Sequence, residues 1–487
     1  MYKIKESLKK YNNFSIGIKA TIWFLICNLL EKGITIITMP IFTRLLPIKE
    51  YGKFNIFNSW VSLLTIFISL NLYSGVCSQG LVKNEEKRNE FASSLQGLSF
   101  TLSVFWLIIF ILFKKRLSEF LGLSNFQLFS IVLLVWTNSS FNFWATRKRV
   151  EFEYKKLIRL TLIIIILKPI LGILFVLNFE DKVNGRILSI LLVNLCFYPL
   201  LFYKQIKEGK KFYHKEYWLY ALKFNIPLIP HYLSNSILSV SDRIMIGKLI
   251  GESAAGIYGL AYSLSMITIL FNTVIFQTLE PWLYQRLKLN EIKEFSLIMY
   301  PSLIGIGLLN LLIIGFAPEI VKFFAPKEYY EAIWVIPPVT MSVFFMFSYT
   351  FFAVFEFYYE KTKYITFATS ITACLNIVFN YIGIIKFGYL AAGYSTLLCY
   401  IIYSGLHFFF MKKICNQYLD KIEVYNLKFL LKISGIFLGI GGLFLLNYNN
   451  YIYRYSLLIL LFLLTIVNLK RIKKYIEKIV LIKKSKN

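Results

Sequence analysis

Apolar runs of about 18 or more residues, each with few charges, recur along the whole chain of 487 residues. Each run is long enough to cross a bilayer as an α-helix. Only 16% of the residues are charged and 57% are hydrophobic, whereas a soluble domain carries about a quarter charged residues. The sequence therefore predicts an all-α polytopic membrane protein.

The positions of the charged breaks predict about fourteen transmembrane helices. The first twelve are expected near Ala20–Phe42, Phe54–Val76, Phe91–Phe113, Phe126–Thr146, Leu157–Leu177, Ile187–Phe202, Trp218–Met245, Ala255–Leu279, Phe295–Ala317, Ala332–Phe355, Tyr364–Ile385 and Tyr389–Phe410. A last pair is expected near Phe429–Leu446 and Tyr453–Leu469. We thus expect an N-terminal six-helix lobe at residues 1–212, a second lobe at 213–415, and a helix pair with a basic tail at 416–487.

The net charge of +28 is concentrated in short connectors and at the two ends, "MYKIKESLKK" and "LKRIKKYIEKIVLIKKSKN". Every second connector carries most of the Lys and Arg, which predicts a cytoplasmic location for those connectors and for both termini. A basic string such as "RKRVEFEYKK" is interpreted as a topology signal in contact with lipid. We therefore expect these Lys and Arg residues to contact the bilayer and not nucleic acid. The six cysteines form no C-x-x-C pair, so no metal or other cofactor is predicted.

Two segments share a pattern that interrupts the apolar character of the chain. They are "TRLLPIKEYGKFNIFNSWVSLL" from Thr43 and "SDRIMIGKLIGESAAGIYGLAYSL" from Ser241. A single offset aligns them without a gap and pairs Arg44 with Lys248, Gly52 with Gly256 and Ser59 with Ser263. Both lie where the first helix of a six-helix set gives way to the second, which indicates parallel repeats.

These segments carry a resemblance to a known family. The string Asp-Arg-x4-Lys-x7-Gly-x-Tyr from Asp242 to Tyr258, the run "KFNIPLIPHYLSNSILSVSDR" and the segment "MPIFTRLLPIKEYGKFNIFNSW" resemble polysaccharide flippases of the Wzx type. Those proteins belong to the multidrug/oligosaccharidyl-lipid/polysaccharide (MOP) superfamily.

The resemblance implies a fold and a cargo. The fold would be two six-helix lobes in a V-shaped, alternating-access transporter with a central cavity. The cargo would be an undecaprenyl-pyrophosphate-linked oligosaccharide, carried from the inner to the outer leaflet of the cytoplasmic membrane for capsule or O-antigen synthesis. A polysaccharide polymerase and a chain-length regulator would be partners. The extra helix pair leaves a lipid II flippase as an alternative.

A diphosphate headgroup inside a membrane needs cations to replace its hydration. Lys168 is the deepest isolated cation, and a charge at a helix centre costs about 2.5–3.5 kcal/mol on insertion scales, so we expect it to face a cavity or a salt-bridge partner. The adjacent Pro169 marks a hinge. Lys32 and Lys223 are further candidates to bind substrate.

Other charged residues have two interpretations each. Asp242 and Arg243 are expected to staple one helix to the next, while Arg44 and Lys248 are candidates for a cationic gate that also contacts substrate. Candidate coupling carboxylates are Glu31, Glu280 and Glu356, and the last two have an ion pair with Lys or Arg as their alternative role. Candidate hinges in the seventh helix are Pro227 and Pro230, with His231 beside them as a packing residue or a proton relay.

Three other functions compete with the flippase. A drug or cation antiporter of the same superfamily needs acidic residues in its cavity, whereas the deep charges here are mainly cationic. A membrane glycosyltransferase or polymerase needs catalytic residues on a substantial loop, and no connector is long enough, so no enzyme activity is expected. A scaffold protein gives no reason for deep cations.

Overall fold

The structure is a computed structural model that describes residues 15–467, except for the side chains of Ile18, Thr21, Leu25 and Lys293. All regular elements in this range are helical, which confirms the all-α class. The basic segments at 1–10 and 469–487, and with them the predicted placement of both termini, lie outside the described residues. The chain forms two compact units, residues 1–236 and 237–487. The lobe boundaries at 212 and 415 stay predictions.

The first unit is built from nine helices of the described chain and the start of a tenth. They are α1 (Ile16–Leu45), α2 (Ile48–Ser69), α3 (Gly75–Lys83), α4 (Arg88–Leu112), α5 (Lys114–Leu121), α6 (Asn125–Val150), α7 (Tyr154–Asn178), α8 (Lys182–Gly209), α9 (Lys215–Asn225) and α10 (Ile229–Leu249). Its most buried long helix is α6. Buried Phe57, Phe110, Ile131 and Ile187 bring α2, α4, α6 and α8 together in one apolar core.

The second unit contains the end of α10 and nine further helices. They are α11 (Glu252–Ser265), α12 (Thr268–Lys288), α13 (Phe295–Gly315), α14 (Ala317–Phe324), α15 (Ile336–Tyr358), α16 (Thr362–Phe387), α17 (Ala391–Tyr418), α18 (Leu427–Leu446) and α19 (Tyr451–Val467). The central helix is α15, whose Phe344, Phe347, Phe351 and Phe355 are fully buried. A helix that is apolar on all sides is expected at the centre of such a bundle.

The two units repeat the same order of helices. One common offset relates the helix ends of the two units. It pairs the end of α1 at Leu45 with the end of α10 at Leu249, and the start of α2 at Ile48 with the start of α11 at Glu252. It is the offset that aligned the two sequence segments. A short eight-residue helix follows the third long helix of each set, as α5 and as α14.

The described residues contain eleven helical segments long and apolar enough to cross a membrane, with α11 and α12 counted together as one segment, Glu252–Lys288. The predicted count of about fourteen is therefore not confirmed. The other three predicted spans correspond to α2, to α9 with α10, and to α19. Charges at Lys49, Glu50 and Lys53 dilute the apolar character of α2, and the buried pair Asp242–Arg243 dilutes that of α10. The last helix has 17 described residues, which is short for a span.

Three predicted continuous helices are interrupted, which corrects their boundaries. Predicted helix seven breaks at a 3-10 turn, Ile226–Leu228, because Pro227 lacks the amide hydrogen of a regular helix. Predicted helix two ends at Ser69, where Leu70 and Asn71 adopt left-handed backbone conformations. Predicted helix eight is divided after Ser265, and no Pro or Gly marks that division.

The basic string after α6 forms an ion-pair network, so its interpretation as a lipid contact was wrong for its first two cations. Arg147 bonds Glu151 at 2.7 Å and Glu208 at 2.8 Å, while Lys148 bonds Glu151 at 2.7 Å and Glu153 at 2.9 Å. Both cations are buried. Hydrogen bonds from Lys156 and Lys148 lower the pKa of Glu153 to about 2. The network ties together the adjoining ends of α6, α7 and α8.

Candidate functional site

A cavity of about 200 Å³ lies inside the first unit, where α1, α6, α7 and α8 meet. Its charged and polar lining residues are Glu31, Thr35, Thr38, Thr161, Lys168, Arg186 and Tyr198. Pro169 and several isoleucines complete the wall. Two cations and one carboxylate leave the lining with an excess positive charge, a combination that favours an anionic ligand.

Lys168 is half-buried near the middle of α7. Its Nζ lies 5.7 Å from the ring centroid of Tyr198 on α8, within the range of a cation–π interaction. The helix continues without interruption through Pro169, so the hinge role of that proline stays a prediction. On α1, Glu31 lines the cavity, whereas its exposed neighbour Lys32 is not part of the wall.

Arg186 is the second cation of the cavity. Its guanidinium lies 3.7 Å from the ring centroid of Phe42 on α1 and 5.7 Å from that of Phe54 on α2. Its Nη1 donates a hydrogen bond to the carbonyl oxygen of Lys168 at 3.3 Å. Its Nε is buried and has no hydrogen-bond partner among the described residues. An aromatic slot therefore holds a guanidinium that retains an unused donor.

The slot for Arg186 depends on Gly172, one turn after Lys168 on α7. A Cβ atom at Gly172 would lie 1.6 Å from Nη1 of Arg186 and 3.1 Å from the ring of Phe42. Atoms do not approach so closely, so any larger residue here would displace the guanidinium. The absence of a side chain at Gly172 thus positions Arg186 against Lys168.

Sequence analysis did not select Arg186 as a site residue. The predicted sixth helix began at Ile187, which placed Arg186 in a connector, whereas α8 begins at Lys182. Asp181 caps that helix by accepting a hydrogen bond from the backbone of Asn184 at 2.9 Å. An Asp directly before a helix is a known N-cap signal, and it would have placed Arg186 inside the helix.

Five more sequence candidates in the first unit are not among the residues that line this cavity. Arg44, in the last turn of α1, is exposed and donates from Nη1 to the carbonyl oxygen of Pro40 at 2.9 Å. Lys223, in the last turn of α9, is exposed. His231 Nε2 lies 3.1 Å from Nδ2 of Asn235 on the same helix. Pro227 and Pro230 flank the break between α9 and α10. The proposed roles of these residues stay predictions.

In the second unit, Asp242 and Arg243 lie in a buried polar cluster between α10 and α11. Asp242 is 2% exposed, and its Oδ2 accepts a hydrogen bond from the hydroxyl of Tyr258 at 2.6 Å. Arg243 lies 3.7 Å from the ring centroid of Tyr262 and donates to the carbonyl oxygen of Ser239 at 2.7 Å. These contacts join α10 to α11.

The other candidates of the second unit are spread over three helices. Lys248 is exposed in the last turn of α10. Glu280 on α12 is half-buried, and its Oε1 accepts a hydrogen bond from Tyr284 at 3.3 Å. Glu356 on α15 is fully buried, and its Oε1 lies 2.7 Å from Nδ1 of His407 on α17. Glu280 and Glu356 therefore have different hydrogen-bond partners.

Comparison with known proteins identifies the family. Residues 18–287 match the model of a family described as "Polysaccharide biosynthesis protein". An uncharacterized membrane protein of Haemophilus influenzae is 26% identical over 375 residues, which cover 74% of this chain and 88% of that protein.

Solved structures show the fold. An inward-facing multidrug resistance MATE family transporter of the MOP superfamily superposes with a TM-score of 0.59 at 13% identity, covering 80% of this chain and 95% of that one. The lipid II flippase MurJ, in an inward closed conformation, superposes with a TM-score of 0.58 at 16% identity, covering 90% and 99%. The chain therefore shares the fold of these two transporters. Since the family model matches more than half of its residues, the chain belongs to the polysaccharide biosynthesis protein family.

Proposed function

We propose that this protein is a flippase that carries undecaprenyl-pyrophosphate-linked oligosaccharide from the inner to the outer leaflet of the cytoplasmic membrane, by alternating access, for capsule or O-antigen synthesis. The observation that carries the proposal is the pair Lys168 and Arg186 on one cavity inside an apolar helical unit. The family description, polysaccharide biosynthesis, supplies the class of cargo. The reaction makes and breaks no covalent bond, so the residues act by binding.

The two cations suit a diphosphate for a physical reason. Removing the headgroup from water is costly unless cations replace its hydration. The planar guanidinium of Arg186 can donate two parallel hydrogen bonds to phosphate oxygens, and the ammonium of Lys168 adds a second charge. A cavity of about 200 Å³ is smaller than typical pockets for drug-sized ligands. It therefore suits the diphosphate, with the glycan outside it.

A lipid II flippase is the second candidate. It is favoured by the helix pair α18–α19 beyond the two repeats and by the likeness to MurJ over 90% of this chain. Lipid II also carries a diphosphate, so the cavity serves either cargo. A drug antiporter is less consistent with the cavity, because the cavity lining contains two cations and only one carboxylate.

Complementation tests the proposal. We would express the chain in one strain that lacks its polysaccharide flippase and in another depleted of its lipid II flippase. The matched control is Arg159→Ala, which removes an exposed cation from the same helix as Lys168. Surface glycan restored by the wild type and by Arg159→Ala, but not by Lys168→Ala or Arg186→Ala at equal membrane abundance, would support the proposal. Rescue of only the lipid II strain would reassign the cargo, and drug resistance without either rescue would refute the flippase.

A further inference from the structure

The second unit contains a fully buried acid–base pair. Glu356 on α15 and His407 on α17 are both 0% exposed, and Oε1 lies 2.7 Å from Nδ1. Among the ion pairs of the described residues, each of the two pairs only with the other. Glu356 lies on the most buried long helix of its unit.

Aromatic rings enclose the imidazole of His407. Tyr349 on α15 stacks on it with ring centroids 5.3 Å apart, and Tyr403 on α17 meets it edge-on at 4.5 Å. These two phenols are the ionisable groups with direct ring contacts to the pair. The neighbouring elements pack further rings against residues of α15 and α17 close to the pair. They contribute Phe295 of α13 against Phe355, Tyr284 of α12 against Tyr358, Tyr425 before α18 against Phe352, and Tyr364 of α16 against Phe410.

Two polar atoms of the pair are unsatisfied. Oε2 of Glu356 and Nε2 of His407 are buried and have no hydrogen-bond partner among the described residues. Buried polar atoms without partners are costly and rare in native proteins. The hydrogen bond between Oε1 and Nδ1 satisfies one polar atom of each side chain and leaves the other one without a partner. A second binding event at the free atoms is thus chemically possible.

A second polar contact also joins α15 to α17, since Ser348 Oγ lies 2.7 Å from Ser404 Oγ. Most of the other side chains of α15 are apolar. Replacing a buried ion pair by apolar residues is often neutral or stabilising, so stability alone is a weak reason for the pair.

We propose that Glu356 and His407 form a proton-binding site whose occupancy changes during transport. This inference rests on the proposed flippase function. The occupied pair is neutral overall: Oε1 of Glu356 carries one proton, which it donates to Nδ1, and Nε2 carries another. When the Nε2 proton leaves, the proton on Oε1 moves to Nδ1, so that a carboxylate accepts a hydrogen bond from Nδ1 of a neutral imidazole. The net charge falls by one, and rebinding a proton at Nε2 restores the neutral pair.

The change in net charge couples proton binding at the pair to the conformation of the protein. A net negative charge is costly at a site enclosed by aromatic rings, whereas the neutral pair is tolerated there. Release therefore requires a state in which α15 and α17 admit water to the pair, and the closed packing favours proton uptake. Alternating exposure of such a site moves one proton for each cycle.

Infrared spectroscopy of the purified full-length chain tests the site without any cargo. The absorbance of protonated carboxyl groups is measured against pH for the wild type, Glu356→Gln, His407→Gln and Glu328→Gln. The last variant removes an exposed carboxyl of the second unit and is the control. We expect one component of the carboxyl titration to be lost in Glu356→Gln, shifted in pH in His407→Gln and retained in Glu328→Gln. Signals identical in the wild type and Glu356→Gln would overturn the proposal, even if the variant is less stable.

A second readout separates this inference from the proposed function. Vesicles containing the protein and an entrapped pH-sensitive dye are supplied with undecaprenyl-pyrophosphate-linked oligosaccharide. We expect translocation by the wild type to change the lumenal pH, and Glu356→Gln to abolish that change. Translocation without proton movement would overturn the proton site and leave the flippase intact. An intact infrared titration without translocation would refute the flippase and leave the proton-binding site intact.

Discussion

Nη1 of Arg186 donates a hydrogen bond to the backbone carbonyl oxygen of Lys168, at 3.3 Å, across the interface of α8 and α7. The two cations that line the cavity are therefore linked through the backbone of one of them. Arg186 retains one donor, since its Nε has no hydrogen-bond partner in the described chain. The central claim is that this pair receives a diphosphate.

Removal of either cation should weaken binding of the headgroup. A hydrogen bond to a charged group contributes about 1.5–3 kcal/mol, so Arg186→Ala is expected to weaken binding of undecaprenyl pyrophosphate by roughly 10- to 100-fold. Arg186→Lys should restore only part of the lost affinity, because an ammonium cannot bind phosphate oxygens in the bidentate way that a guanidinium does. Equilibrium binding to the purified chain measures the effect. Equal affinities for Arg186→Ala and the control Arg159→Ala would contradict the assignment.

A methyl group at Gly172 should act through Arg186. The variant Gly172→Ala places a Cβ atom 1.6 Å from Nη1 of Arg186, which forces the guanidinium out of its slot. The matched control is Gly305→Ala on α13, where a Cβ meets no atom within 4 Å. Ala in place of a helical Gly is favourable by about 0.5–1 kcal/mol where space allows. We therefore expect Gly305→Ala to retain headgroup binding and thermal stability, and Gly172→Ala to lose binding. Unchanged binding in both variants would argue against the slot.

Breaking the buried cluster of the second unit should destabilise the protein. Asp242→Asn leaves Arg243 buried without its carboxylate, and the loss of one partner of a buried ion pair costs about 3–5 kcal/mol. Tyr258→Phe removes one neutral donor to the carboxylate and should cost less. Thermal unfolding in detergent, with the double variant to complete a cycle, measures both changes and their coupling. Additive effects of the two substitutions would show that the bond at 2.6 Å does not couple them.

Acid should weaken the network that joins α6, α7 and α8. The pKa of Glu153 falls from 4.5 to about 2 because Lys156 and Lys148 bond its carboxylate. As the pH falls, the carboxyl of Glu153 therefore takes up a proton in the unfolded state before it does so in the folded state. The stabilisation of the folded state by this group is present above pH 4.5 and is lost as the pH falls toward about 2. Glu151 acts in the same direction, since its bonds to Lys148 and Arg147 outweigh the effect of burial and lower its pKa.

Thermal stability measured against pH tests this account. The wild type should lose stability through that window, and Glu153→Gln should lose less of it because one titrating group is absent. A pH dependence that is identical in the two proteins would exclude Glu153 from the acid response.

The features that sequence predicted well depend on local pattern. The apolar runs predicted most of the long helices, and the motif shared by the segments at Thr43 and Ser241 predicted the repeat, which the helix ends reproduce. Lys168 was selected because an isolated cation in an apolar run is costly wherever it faces lipid. Each of these inferences needs only neighbouring residues.

The features that sequence missed depend on the three-dimensional packing of helices. Glu31 lines the cavity and Lys32 does not, but the apolar residues of α1 are not confined to one face, so its sequence does not reveal which face meets the cavity. Glu356 was selected and its partner was not, because His407 lies on a different helix. Arg186 was missed because the start of its helix was placed too late, which concealed its depth.

Translocation in purified vesicles tests the central claim most directly. Vesicles of defined lipid would carry the protein and a labelled undecaprenyl-pyrophosphate-linked oligosaccharide, and the label's exposure on the opposite leaflet would be followed over time. We predict transfer by the wild type and by Arg159→Ala, and loss of transfer in Lys168→Ala and Arg186→Ala. Transfer at wild-type rates in both cavity variants would contradict the account.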